Sequence, residues 1–261
     1  MNHSNFDLVF QAGGAAEPFE IYNAGGASEF FLTCEHAGRL MPAYLGDLGI
    51  SADDLDRHIA YDVGAEGLAR RLASLLDAPL VLQRFSRLVV DSNRPFESEE
   101  CIVEVSDGTV IAGNVGLTAA ERNARFRAIH VPFHDAIFAA LEARQAAGRT
   151  TTLVSVHSFT PRMRHSGEVR LFELGVLANR APAFADLLLA AFQSRYPDVP
   201  AGRNVPYDVD DLSDYTIPVH GEKRGIAHAL VEVRSDGIEN ETGQDLWARR
   251  LADALVAAAA K

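Results

Sequence analysis

Cysteine is scarce in this chain of 261 residues. Cys34 and Cys101 cannot build a disulfide framework, so a reducing, cytoplasmic setting is expected. No apolar run reaches the length that a membrane-crossing helix needs. The start, Met1 to Asp7, lacks the basic and apolar stretches of an export signal, and none is expected. Positive charge is in deficit, with 24 Lys and Arg against 36 Asp and Glu and a net charge of -12. That balance argues against a nucleic acid or an anionic membrane as partner, and leaves a small molecule gripped by local arginines. Familiar signatures are missing too. There is no Gly-x-Ser-x-Gly elbow, no P-loop, and no Gly-x-Gly-x-x-Gly following a strand. Cys34 has no strand-to-helix turn behind it to activate a thiol. His130 and His134 are spaced to chelate on a helix, but lack the adjacent glutamate of that motif, and Pro132 lies between them. For His134 a buried place in a helix is expected.

What is present alternates. Strand signals at about 29–34, 79–83, 87–91, 151–157, 168–176 and 228–234 are interleaved with helical patterns at about 53–76, 118–147, 181–195 and 242–260. Thr118 and Glu121 form a capping box, and Pro132 is expected to kink or break its helix. Residues 97–117, acidic and glycine-containing, read as an excursion or lid, and 197–214 as a loop. The alternation predicts one α/β domain over 29–261, a mostly parallel mixed sheet with helices on both faces. A loosely packed, glycine-rich leader over 1–28 precedes it.

Four polar clusters end apolar runs: Cys34–Gly38, Asp91–Phe96, Ser155–Phe159 and Glu232–Arg234. In an open α/β sheet, ligands gather outside the carboxyl ends of the strands. Two imidazoles, His36 and His157, delivered to that edge suit a metal hydrolase, which needs two or three protein ligands and an open position. A third ligand is expected between them. Asp62, where a loop enters a helix, is the leading candidate, with Glu35, His58 and Glu66 as alternatives. Glu232, set among valines, is costly to bury unless it is paired or put to use, and its expected use is as general base. Asn93 and Arg94 offer a fork for a carboxylate, and Arg87 a charge for a scissile carbonyl or a second carboxylate. Arg234 shares a strand face with Glu232 as a further candidate, and Tyr207 lies in the loop 197–214.

At these residues the chain resembles the N-formylglutamate amidohydrolase family. The segments are Glu35-His36-Ala37-Gly38, His58 to Ala65, Ser86 to Pro95, His157-Ser158-Phe159, Asn204-Val205-Pro206-Tyr207 and Glu232-Val233-Arg234, in the family's order. That family is similar in turn to zinc carboxypeptidases, aspartoacylases and cell-wall amidases. The resemblance implies a zinc-exopeptidase-like fold and one zinc per chain at His36, Asp62 and His157. It further implies Glu232 as general base and Asn93 and Arg94 as carboxylate binders. The implied reaction is hydrolysis of a small N-acyl amino acid, first of all N-formyl-L-glutamate, to formate and glutamate. In carboxypeptidases and aspartoacylases the acidic ligand follows the first histidine by three residues, where this chain has Arg39; cell-wall amidases place it later, as Asp62 is placed. The basic segment Thr160 to His165 is expected to shape specificity. A related deacylase, a cell-wall-fragment amidase and a non-catalytic carboxylate-binding protein are the alternatives.

Overall fold

The computed structural model describes residues 17–261; residues 1–16 of the expected leader lie outside them. Seven strands form one mixed sheet. They are β1 (Phe19–Tyr22), β2 (Phe30–Cys34), β3 (Leu80–Gln83), β6 (Thr152–Phe159), β7 (Leu174–Leu177), β8 (Ala201–Arg203) and β9 (Ala227–Arg234). Their order across the sheet is β1-β3-β2-β6-β9-β7-β8. β3, β2, β6 and β9 run parallel to one another. β1 joins antiparallel at one side, and β7 joins antiparallel to β9 at the other. A small hairpin, β4 (Val105–Ser106) and β5 (Thr109–Val110), stands apart.

The central strands are buried along their whole length because helices cover both faces. Alternation along β2 shows how: Phe30 and Leu32 join one core, and Phe31 between them joins the other. The first core packs Leu68 and Leu72 of α2 (Ala65–Leu76), Leu188 and Phe192 of α5 (Ala183–Arg195), and Trp247 and Leu251 of α6 (Glu241–Ala259). The second packs Phe133, Ile137 and Leu141 of α4 (Val131–Ala146). α1 (Ala52–Leu55) and α3 (Ala119–Arg125) are short. The capping box of Thr118 and Glu121 opens α3. The expected break near Pro132 is a π-helical turn, Phe126–His130, that separates α3 from α4.

Several expected elements come out differently. Residues 53–76 hold two helices, because Gly64 at φ 80° starts α2 anew and its Cβ position is closed off by the Ile238 carbonyl 2.2 Å away. Arg87 to Asp91 is a turn and not a strand. Ser86 Oγ accepts from Leu88 N, and Val89 N donates to Ser86 O. Leu88, Val89 and Val90 are apolar because they fill a satellite core with Phe85, Ile102 and Ile129. Of 168–176 only Leu174 onward is strand, while Leu171 is 76 % exposed. β8 falls within the expected loop 197–214, and β1 within the expected leader.

Candidate metal centre and active site

The parallel run of β2, β6 and β9 brings three polar clusters to one edge of the sheet. His157 and Glu232 are direct register partners on β6 and β9, so ligand and base candidates far apart in the sequence stand side by side. His36 follows β2, where Gly38 lets the chain pass within 2.0 Å, measured from an added Cβ, of the Arg84 carbonyl. Asp62 N donates to His36 O at 2.9 Å, which draws the start of α2 to the same point.

His36 Nδ1 lies 3.5 Å from Asp62 Oδ2, and His157 Nδ1 lies 2.8 Å from the same oxygen. Ligand atoms of the three residues all fall within 4.8 Å of one another, the single such group among the described residues. The far ring nitrogens are both held by buried carboxylates: His36 Nε2 by Asp91 Oδ1 at 2.7 Å, and His157 Nε2 by Glu35 Oε2 at 2.9 Å. A carboxylate behind an imidazole fixes the ring and its tautomer and makes the front nitrogen a better donor to a metal. His36 Nδ1 is buried and otherwise has no hydrogen-bond partner. The donor set, two imidazoles and a carboxylate, is the kind that zinc takes. These residues fit the ion.

Electrostatics follow from the same contacts. Burial opposes the charge on Asp62, but His36 and His157 hold its carboxyl well below the usual range. Burial likewise opposes a cation at His157, yet hydrogen bonds to Asp62 and Glu35 raise it well above an ordinary imidazole. Against its own burial, Glu35 is brought down to about 2 by His157 and Ser155. Arg87 donates to Asp91 Oδ2 at 2.7 Å from Nη2 and reaches Asp62 Oδ1 at 3.4 Å. Asp91 therefore stays ionised behind His36 despite being buried. Glu232 differs: burial raises it to about 7, and its Oε2 has no hydrogen-bond partner.

The remaining expected ligands sit elsewhere. Glu35 is behind His157, also accepting from Ser155 at 2.7 Å and Thr216 at 2.8 Å. His58 is in the cavity wall, 3.6 Å from Asp107. Glu66 pairs with Arg70 on the surface of α2. His130 and His134 bond the carbonyls of Arg94 and Ser92, at 3.0 and 2.6 Å, and so shape the segment that carries Asn93 and Arg94. Because Glu35 is an outer partner of His157, Glu35→Gln is expected to weaken zinc binding by roughly 10–100-fold without abolishing it. Titration with a competing chelator measures this. Complete loss of zinc would make Glu35 a ligand instead.

A cavity of 660 Å³ opens over these residues, and its wall includes His36, Asp62, Arg87, His157, Tyr207 and Glu232. Asn93 and Arg94 line it too. Asn93 Nδ2 donates to Asp214 at 2.8 Å, and its Oδ1 accepts from Tyr215 N and Thr216 N, so Asn93 also ties the 214–216 segment to the wall. Arg94 donates from Nε to Glu100 at 2.9 Å. Tyr207 follows the cis bond Val205–Pro206 and accepts from Arg170 Nη1. Arg234 lies outside these lining residues. At the end of β9 its guanidinium turns to Asp236, at 2.8 Å, and to the carbonyls of Arg170, Leu171 and Phe172 at 3.2–3.4 Å. These contacts tie the end of β9 to the approach to β7. Arg170, which no pattern in the sequence singled out, is in the wall.

Among the described residues no helix is long and apolar enough to cross a membrane. No curated protein matches the chain significantly. Among solved structures, a gene product of Agrobacterium tumefaciens is similar at 38% identity and a TM-score of 0.90, over 94% of this chain and 96% of that one. An N-formylglutamate amidohydrolase from Ralstonia eutropha JMP134 shares the fold at 20% identity and a TM-score of 0.68, over 94% and 98%. The family model for N-formylglutamate amidohydrolase matches residues 28–239, a span that holds every segment quoted above, and the chain belongs to that family.

Proposed function

We propose that this chain is a zinc-dependent amidohydrolase that cleaves the amide of a small N-acyl amino acid, with N-formyl-L-glutamate as the leading substrate. One observation carries the proposal. The front nitrogens of His36 and His157 and one oxygen of Asp62 converge at the floor of a cavity, beside a glutamate with an unpartnered oxygen. Membership of an amidohydrolase family supports a hydrolase acting on a small molecule.

Zinc held by His36, Asp62 and His157 would supply a Lewis acid and would lower the pKa of water towards ~7. Glu232 takes the proton from the attacking water as its oxygen bonds to the formyl carbon. It then delivers that proton to the nitrogen as the C–N bond breaks, which releases formate and the amino acid. Arg87 offers positive charge to the carbonyl oxygen as negative charge develops there. Asn93 and Arg94 hold the α-carboxylate, and Tyr207 lines the cavity beside the substrate.

The cavity favours one second reading. Its 660 Å³ is well inside the range of about 300–1,000 Å³ typical of drug-sized ligands, and so leaves room beyond a formyl group. A bulkier N-acyl amino acid or a cell-wall fragment would use the same machinery. Metal analysis of the purified protein together with hydrolysis of a panel of N-acyl amino acids tests both. Stoichiometric zinc and release of formate from N-formyl-L-glutamate are expected. Preference for a longer acyl group selects the second reading, and a protein with neither zinc nor amidase activity overturns both.

A further inference from the structure

Arg170 is a charged residue of the cavity wall to which the amide chemistry assigns nothing. Its side chain is only 8 % exposed. The Tyr207 ring lies 4.6 Å from the guanidinium and the Phe159 ring 5.9 Å away, and Nη1 donates to Tyr207 Oη. The carboxylate paired with it, on Glu168, stands 3.8 Å from Nε and is 61 % exposed, too distant for a hydrogen bond. Nε is buried without any partner. A guanidinium is seldom left in that state, because removing its hydration is costly unless an acceptor replaces the water.

The residue is also fixed in advance. Arg170 N donates to Pro161 O at 3.0 Å, and Arg170 O accepts from Arg234 Nη1 at 3.2 Å. Little conformational freedom remains to be lost when an anion arrives. Arg170 and Arg94 have different surroundings. Arg94 acts on Asp91 and Asp210, whereas Arg170 acts on His58 and Tyr207. Arg87, the third guanidinium of the wall, is already held by Asp91 and Asp62, which leaves Arg94 and Arg170 for a substrate.

We infer that Arg170 determines specificity by binding the side-chain carboxylate of an N-acyl dicarboxylic amino acid, opposite the α-carboxylate held by Arg94 and Asn93. The inference rests on the proposed amidohydrolase site. Arg170 offers Nε and a terminal nitrogen as a fork, which matches a carboxylate bidentately. Tyr207 and Phe159 keep that fork in plane, and Arg234 acts through the backbone as a positioning residue.

The test compares the wild type with Arg170→Met and Arg170→Lys. Calorimetric titration with glutarate and with butyrate reads the second carboxylate without any turnover. Arg170→Met is expected to weaken glutarate by about 10–100-fold, the usual worth of hydrogen bonds to a charged group, and to leave butyrate unchanged. With N-formyl-L-glutamate the KM should rise by a similar factor at nearly constant kcat, and N-formyl-L-glutamine should respond little. Arg170→Lys should recover part of the loss, because it keeps a charge but not a fork. Equal effects on both anions, no effect, or a wild type that does not bind glutarate would each overturn the inference. If Arg170→Met fails to fold, the glutarate-to-butyrate ratio of Arg170→Lys decides in the same way. Glutarate bound through Arg170 by a protein without amidase activity would refute the hydrolase reading alone. An amidase indifferent to Arg170 would refute this inference alone.

Discussion

Replacing Glu232 with glutamine is expected to lower kcat for N-formyl-L-glutamate by about 10²–10⁴-fold, the usual worth of a positioned acid–base group, with zinc content unchanged. The substitution keeps the shape of the side chain and removes only its ability to carry a proton. Glu232 is placed by backbone pairing opposite His157, so a neutral amide there disturbs no ligand contact in the structure. The pH profile gives a second, independent readout. Burial raises the carboxyl to about 7, and a base must be ionised to act. Activity of the wild type therefore falls as pH drops through the pKa of Glu232 and is retained above it. A divalent cation beside the carboxylate favours the anion and moves that limb to lower pH. The variant should lack the limb. A variant that retains wild-type kcat, or keeps the same acidic limb, would remove Glu232 from the chemistry.

Much of this site was legible because its parts end strands. The runs before His36, His157 and Glu232 are apolar and short, and parallel strands flanked by helices deliver their carboxyl ends to one place. Asp62 was legible from Gly64 and Ala65, which mark the start of a helix. What escaped was whatever depends on contact across the fold. Leu88-Val89-Val90 has the composition of a strand, but an apolar run signals burial, not extended backbone, and here it fills a satellite core behind a turn. Glu35 was a ligand candidate because it adjoins His36. Both lie in the turn that follows β2, and there Glu35 reaches the back of His157 instead. Asp91 stood in the same motif as Asn93 and Arg94, and only the 2.7 Å contact with His36 shows what it does. The contacts of Arg234 were hidden for a related reason. The period of the strand fixes its face, but β9 ends there and the long side chain turns to the carbonyls before β7. Arg170 sat in the expected strand 168–176 with nothing to mark it; its burial against Tyr207 is set by a loop 37 residues away.

Loss of an imidazole should have an effect as large as loss of the base, but the two histidines should differ in what else they disturb. Both His36→Ala and His157→Ala are expected to abolish stoichiometric zinc and, with it, measurable amidase turnover, since each removes one of the three proposed ligands. Stability separates them. Removing His157 leaves buried Glu35 with hydroxyl partners such as Ser155 and Thr216 but no cation, while Asp62 keeps His36 and Arg87. Leaving a buried charge uncompensated typically costs about 3–5 kcal/mol. Removing His36 is milder, because Arg87 still pairs with both Asp91 and Asp62. Denaturant unfolding of the metal-free proteins should therefore rank wild type, His36→Ala and His157→Ala in falling order. Zinc affinity of the wild type should also fall as pH falls. His157 binds its proton tightly between two carboxylates, and the metal must displace that proton to bind. Zinc retained at full stoichiometry by both variants would show that the ion, if present, lies elsewhere. Equal unfolding midpoints would show that His157 is not the cation holding Asp62 and Glu35 together.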